Sequence, residues 1–143
     1  MPRATDSITN SEDIIDSRDV IARIEYLTDD RDNLVSPDGK DWPDDDTRNQ
    51  AWADENGTDA DELAVLLALQ EEAEGYAADW KYGEALIRDS YFQDYAQELA
   101  DDIGAIKGDA TWPNNHIDWE AAARELQQDY TSVEFDGVTY WVR

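Results

Sequence analysis

The sequence predicts a mainly helical protein that ends in a β-hairpin. This is an α+β fold with four or five helices in an acidic domain, elongated or compact. Two observations support this prediction. Apolar residues recur at helical spacing in several segments, and capping residues stand at the starts of these segments. Near the C-terminus, Asp136 and Gly137 separate two runs of β-forming residues, which is the pattern of a two-residue type I′ hairpin turn.

In the first part of the chain, the sequence predicts one helix between less regular segments. Residues 1–10 form a lead-in to a short turn that carries Ile14 and Ile15. A helix then covers residues 17–28. Residues 29–58 contain two Pro, two Gly and many Asp, which favours loop or short helical turns. The apolar face of the helix consists of Val20, Ile21, Ile24 and Leu27.

From residue 59 to the hairpin, the sequence predicts three further helices. The first covers residues 59–74 and stops at Gly75, since glycine favours helix ends. The second covers residues 84–102. Asp118 is a capping residue for the third, which covers residues 119–130.

We divide the chain at residue 58. Residues 1–58 form an acidic region of helix and loop, and residues 59–143 form a helical region that ends in the hairpin. One single domain over residues 11–143 is the alternative. The 143 residues include 6 Trp, 7 Tyr and 2 Phe, a content that supports a folded core rather than a disordered acidic tail.

The charge balance excludes several classes of function. Asp and Glu number 36 and Lys and Arg number 11, which gives a net charge of −25. A direct nucleic-acid binder needs a basic surface, and an anionic membrane repels such a chain. There is no cysteine, and one histidine offers little for a zinc or copper site, so we expect no cofactor. Without an apolar leader or spanning segment, we expect a cytoplasmic protein, in the host cytoplasm if a phage encodes it.

Calcium binding and acid–base catalysis are two candidate functions of the many carboxylates. An EF-hand that starts at Asp54 fails, because Asp59 stands where Gly is needed and Val65 where Glu is needed. A calcium site of another kind remains an alternative among Asp41, Asp44, Asp45 and Asp46. With 36 carboxylates, a catalytic pair is expected by chance, and no catalytic motif accompanies it. We therefore expect a protein that is not an enzyme.

Imitation of DNA is the third candidate function of the carboxylates. Twenty-five charges correspond to about 42 Å of duplex, and a compact domain of this length has a diameter of about 37 Å. Helical carboxylates three or four residues apart are close neighbours, as phosphates are. We expect the carboxylates of helices 59–74 and 84–102 to line one continuous face. The candidate phosphate-mimicking residues are Asp44, Asp45, Asp46, Asp59, Asp61, Glu71, Glu72, Glu74, Asp94, Glu98, Asp101 and Asp102.

The region 90–143 resembles the C-terminal part of ArdA-type antirestriction proteins. Four stretches carry the resemblance: His116-Ile117-Asp118-Trp119-Glu120, Ala123-Arg124-Glu125-Leu126, Asp129-Tyr130, and Gly137 with Tyr140-Trp141-Val142. The resemblance implies an elongated DNA mimic, often a homodimer, that occupies the DNA groove of restriction–modification enzymes.

We therefore expect a DNA-mimic inhibitor of a host defence system, most simply an antirestriction protein. The expected partner is a basic nucleic-acid-binding protein or complex. The main alternative is an anti-CRISPR or other anti-defence inhibitor that binds a nucleic-acid channel. A halophilic or calcium-binding structural domain and an acidic chaperone for basic proteins are further alternatives. Salt separates these readings, because a mimic loses affinity as salt rises whereas a halophilic domain gains stability.

Overall fold

The computed structural model describes residues 5–105 and 112–143. Within these ranges the chain forms five α-helices and one four-stranded sheet, so the predicted fold class is correct. The elements are β1 (Ile14–Asp16), α1 (Ser17–Asp32), α2 (Asp45–Glu55), α3 (Gly57–Glu74), β2 (Ala85–Arg88), α4 (Phe92–Asp102), α5 (Trp119–Leu126), β3 (Thr131–Phe135) and β4 (Val138–Val142). Short 3₁₀ turns at residues 89–91, 114–116 and 127–129 connect them.

The sheet is antiparallel throughout, with the strand order β1-β2-β4-β3. The predicted hairpin is present, and Phe135 pairs with Val138 across its turn. Asp136 and Gly137 both have positive φ, 49° and 81°. A type I′ turn requires positive φ at both central positions, and the Asp-Gly pair suits it for this reason.

The sheet separates two layers of helices. Side chains alternate across a strand, so Leu86 and Tyr140 lie on one face while Ile87 and Trp141 lie on the other. The first face packs with buried residues of α1, α2 and α3 in the larger core cluster. The second face packs with α4 and α5 in a smaller cluster around Phe92. The fold is therefore a three-layer arrangement, with α1–α3 on one side of the sheet and α4–α5 on the other.

The larger core joins residues that are distant in sequence. Val20 and Leu27 of α1, Trp52 of α2 and Leu66 of α3 are buried in one cluster with Tyr140 of β4. Asp16 caps α1, since its carboxylate accepts a hydrogen bond from the N–H of Arg18 at 2.9 Å. Packing of these apolar faces, rather than local propensity, supplies most of the stability of such helices.

The predicted helix over residues 84–102 is wrong at its start. Residues 85–88 form β2, and the helix α4 begins only at Phe92. Leu86 and Ile87 are both buried because each faces a different layer of helices. A strand buried on both faces has no alternating pattern, so periodicity does not separate it from a helix.

Two N-terminal predictions are also corrected. Ile14 and Ile15 lie in β1 rather than in a turn, because they pair with Ile87 and Leu86 of β2. In the segment 29–58, where loop or short helical turns were expected, residues 45–55 form an eleven-residue helix, α2.

Smaller corrections concern helix ends. Helix α1 extends to Asp32 instead of residue 28, and α5 ends at Leu126 before a 3₁₀ turn. Helix α3 begins at Gly57, two residues before the predicted start, and ends at Glu74 with Gly75 as its C-cap, as predicted. The predicted loop around Pro113 lies partly outside the described residues, which resume at Trp112.

Candidate functional site

The four carboxylates of α4 form one exposed face, which we name the α4 row: Asp94, Glu98, Asp101 and Asp102. An α-helix turns about 100° per residue, so these four side chains fall within an arc of about 100°. The buried residues Phe92 and Ala96 lie on the opposite side of α4 and pack against the sheet. The row therefore points away from the core.

The charge density along the α4 row is close to that of a DNA strand. From Asp94 to Asp102 the helix rises by about 12 Å, which gives one carboxylate per about 3–4 Å of axis. One DNA strand carries one phosphate per about 3.4 Å. No Lys or Arg occurs between residues 89 and 105, so no neighbour in the sequence offsets these charges.

One member of the α4 row is held in place. The hydroxyl of Tyr91 donates to both carboxylate oxygens of Glu98, at 2.9 and 3.0 Å. This hydrogen bond raises the pKa of the Tyr91 hydroxyl. Asp94, Asp101 and Asp102 form no hydrogen bond or ion pair with any described residue, so their carboxylates face solvent.

The second group of candidates lies at the end of α3. Glu71, Glu72 and Glu74 are all exposed. Glu72 Oε1 accepts a hydrogen bond from the N–H of Glu134 at 2.9 Å. Glu134 belongs to β3, an edge strand, and an open edge with free N–H groups invites pairing with another chain. Glu72 therefore covers part of this edge, while Glu71 and Glu74 face solvent.

The third group, at the start of α2, is mainly structural. Asp44 caps the helix, because its carboxylate accepts from the N–H of Thr47 at 2.7 Å. Hydrogen bonds from Thr47 lower the pKa of Asp44. Asp45 pairs with Arg48 at 3.3 Å, one turn along the helix. Asp46 is exposed and lines a shallow hollow on the surface of α2.

The fourth group, at the start of α3, combines one structural and one free carboxylate. Asp59 is half-buried, 3.7 Å from Nη2 of Arg23. Arg23 is 3% exposed and also forms two hydrogen bonds with Glu62, which the sequence did not single out. Asp61 is exposed and has no partner among the described residues.

The structure does not unite these candidates. Helices α3 and α4 lie on opposite sides of the sheet, so Glu71 and Glu74 do not share a surface layer with Asp94 or Glu98. The expected continuous face across both helices is therefore wrong, because α4 packs on the far side of β2 rather than beside α3.

The arginines are largely occupied within the fold. Each ion pair in the described ranges joins an arginine guanidinium to a carboxylate. These pairs offset only a minority of the acidic side chains, so the electrostatic field of the protein stays strongly negative. The pairs join Arg18 to Asp16, Arg23 to Glu62 and Asp59, Arg31 to Asp32, Arg48 to Asp32 and Asp45, and Arg124 to Glu120.

A groove that the sequence did not indicate lies beside α3. Residues 7–10, which we name the strap, run along α3 and the hairpin turn, and a groove of about 670 Å³ opens between these three segments. We name it the strap groove. Sequence reasoning treated the strap as a lead-in, because Ile8 is a lone apolar residue there and no periodic pattern marks its burial.

The described ranges contain neither a metal-binding cluster nor a membrane-spanning helix. No group of three or more Asp, Glu or His side chains there is arranged to hold a metal ion, and Asp44 and Asp45 have the structural roles given above. None of the helices in those ranges is apolar over a length that would span a bilayer. His116 is exposed.

No protein-family model, curated protein sequence or solved structure matches this chain. The resemblance to antirestriction proteins therefore stays a prediction.

Proposed function

We propose that this chain is a non-enzymatic inhibitor that imitates the charge of DNA. It occupies the basic DNA-binding groove of a host defence enzyme. Within that class, a restriction–modification enzyme is the target that we favour. The observation that carries the proposal is the α4 row, with four exposed carboxylates at about the axial spacing of strand phosphates. Single-sign rows of this kind weaken the isolated helix, since like charges at this spacing repel.

The pairing of the arginines supports the same proposal. A surface meant only for solubility needs a moderate net charge, much smaller in magnitude than the −25 of this chain. Here the described arginine pairs lie at α1, α2, α3 and α5, and α4 has none. A basic cleft would meet the α4 row without competition from internal cations, and long-range attraction would speed the encounter.

Plating of unmodified phage on a restricting bacterial host tests the proposal. Expression of the chain should raise the efficiency of plating on the restricting host towards that on a non-restricting host. The quadruple variant Asp94→Asn, Glu98→Gln, Asp101→Asn, Asp102→Asn should lose this effect. Single variants should lose little, because each exposed charge contributes about 0.2–1 kcal/mol.

A matched control removes the same number of charges from the other side of the sheet. The variant Glu25→Gln, Asp29→Asn, Glu71→Gln, Glu74→Gln changes four exposed carboxylates of α1 and α3. It should keep most of the effect. Equal loss in both variants would show that total charge, and not the α4 row, is responsible, and plating that never rises on hosts with different restriction systems would remove antirestriction as the function.

A further inference from the structure

The strap groove has an apolar floor. Ile8 and Phe135 are buried beneath it, and Val65 is half-buried at its side. Its volume of about 670 Å³ lies within the range of sites that hold small ligands or short chain segments. The groove therefore offers apolar contact area on a surface that is otherwise densely charged.

Hydrogen bonds fix the walls of the groove. The carboxylate of Glu62 accepts from the Ser7 hydroxyl at 3.0 Å and from the Ile8 N–H at 3.1 Å, which holds the strap on α3. Asn10 Nδ2 donates to the carbonyl oxygen of Asp136 at 3.1 Å, which holds the strap on the hairpin turn. A site with fixed walls loses less entropy when a ligand binds.

The charge of the groove is negative. Asp61, Glu62 and Asp136 line it, and no Lys or Arg is found among its described lining residues. Arg23 offsets Glu62. Asp61 and Asp136 are exposed, and their carboxylates have no hydrogen-bond or ion-pair partner in the described ranges. An apolar floor with two unpaired carboxylates matches a ligand with apolar stems and cationic heads, which is the chemistry of lysine and arginine side chains.

We propose that the strap groove holds a basic arm of the protein partner, with an arginine or lysine head at Asp61 and Asp136. Basic arms of this kind are common in nucleic-acid-binding proteins. The inference rests on the proposed function, because it names a second part of the same partner. The groove lies on the α3 side of the sheet, opposite the α4 row, so the partner would reach it with an arm separate from the cleft that meets the α4 row. Two joined contacts strengthen each other when the arm can span both sites.

Binding of a defined peptide tests the groove without knowledge of the partner. The probe is a blocked hexapeptide of alternating arginine and glycine, added to the ¹⁵N-labelled chain at about 50 mM salt, where charges are weakly screened. Amide shifts should concentrate at Ile8, Asn10, Asp61, Val65 and Asp136. The same peptide with citrulline in place of arginine should cause no such shifts. Shifts of equal size over the whole acidic surface would overturn the proposal.

Two variants of the chain separate charge from shape. Asp61→Asn with Asp136→Asn should weaken peptide binding about ten-fold, since two exposed ion pairs are removed. Ala64→Trp fills the groove from an exposed position of α3 without a change of charge, and it should weaken binding at least as much. The control Glu71→Gln with Glu74→Gln removes two charges from the other end of the same helix.

The outcome of this control decides between a groove and a general acidic surface. Peptide affinity within about two-fold of the parent in the control supports the groove. A loss equal to that of the Asp61 and Asp136 pair contradicts it, and so does unchanged affinity in Ala64→Trp. Because the peptide assay does not involve restriction, failure of the groove and failure of the antirestriction proposal are observed separately.

Discussion

Arg23 and Glu62 form a two-pronged ion pair between α1 and α3, with Nε to Oε2 at 2.8 Å and Nη2 to Oε1 at 2.9 Å. Both side chains are nearly buried, 4% and 10% exposed. Glu62 also holds the strap through Ser7 and Ile8. One carboxylate therefore connects two helices and the N-terminal segment, in a chain where most carboxylates face solvent.

We predict that Glu62→Gln lowers the free energy of unfolding by about 3 kcal/mol, because it leaves the Arg23 charge buried with a weakened partner. Urea titration followed by circular dichroism measures this change. Glu71→Gln, an exposed change on the same helix, is the control and should cost less than about 0.5 kcal/mol. Similar small losses in both variants would contradict a structural role for the pair.

The same pair predicts a dependence on pH. Burial alone would raise the pKa of Glu62, but hydrogen bonds from Arg23, Ile8 and Ser7 hold it below its ordinary value of 4.5. A carboxyl with a lowered pKa stabilises the fold above its ordinary pKa, and this stability is lost as pH falls through the lowered value. The difference between the parent chain and Glu62→Gln should therefore shrink below about pH 4.5. A difference that stays constant down to pH 2 would contradict this account.

For Glu12 we predict a pH dependence of stability with the opposite sign to that of Glu62. Its Oε2 is buried without a hydrogen-bond partner in the described ranges, and burial raises its pKa above 4.5. The folded state then binds the proton more tightly, so the charged form costs stability as pH rises. Glu12→Gln should stabilise the chain by about 1 kcal/mol at pH 7, and the gain should close as pH falls towards 4.5. Asp13→Asn, an exposed neighbour, is the control for general relief of repulsion and should give a smaller gain.

The core predicts a contrast between two tryptophans. Trp80 is 2% exposed in the larger core, whereas Trp112 is 78% exposed. Trp80→Ala should lower the free energy of unfolding by about 3–5 kcal/mol, since it leaves a large cavity. Trp112→Ala should change it by less than about 0.5 kcal/mol. Chemical unfolding of both variants measures the contrast, and a large loss for Trp112→Ala would mean that this side chain packs in solution.

At the hairpin turn we predict a loss of stability that comes from backbone strain alone. Gly137 has φ of 81°, and a Cβ there would meet no atom within 4 Å. Gly137→Ala should cost about 1–2 kcal/mol, because a residue with a Cβ disfavours positive φ. Gly57→Ala is the control, since that position is equally open and its φ is not positive. Equal stability of both variants would contradict the turn geometry.

The sequence predicted the elements that depend on local pattern. Asp118 caps α5 as expected, with the N–H of Ala121 donating to its carboxylate at 3.1 Å. The hairpin at Asp136 and Gly137 is confirmed for the same reason, because its turn chemistry lies within two residues. Local signals of this kind need no knowledge of distant contacts.

The elements that sequence reasoning missed depend on distant partners. Strand β1 forms because Ile15 pairs with Leu86, which is far along the chain. The division of the candidate carboxylates into two surfaces follows from β2, which places α4 on the opposite side of the sheet from α3. No spacing rule within 59–74 or 92–102 contains that information.

DNA imitation is tested most directly by a competition titration. A labelled duplex bound to the restriction–modification enzyme of the restricting host is titrated with the chain at about 50 and 500 mM salt, where the Debye length falls from roughly 14 to 4 Å. We predict that the chain displaces the duplex completely at low salt and that displacement weakens steeply at high salt. The α4 quadruple variant should displace far less. Simultaneous binding of chain and duplex, with unchanged affinity for DNA, would contradict imitation of DNA.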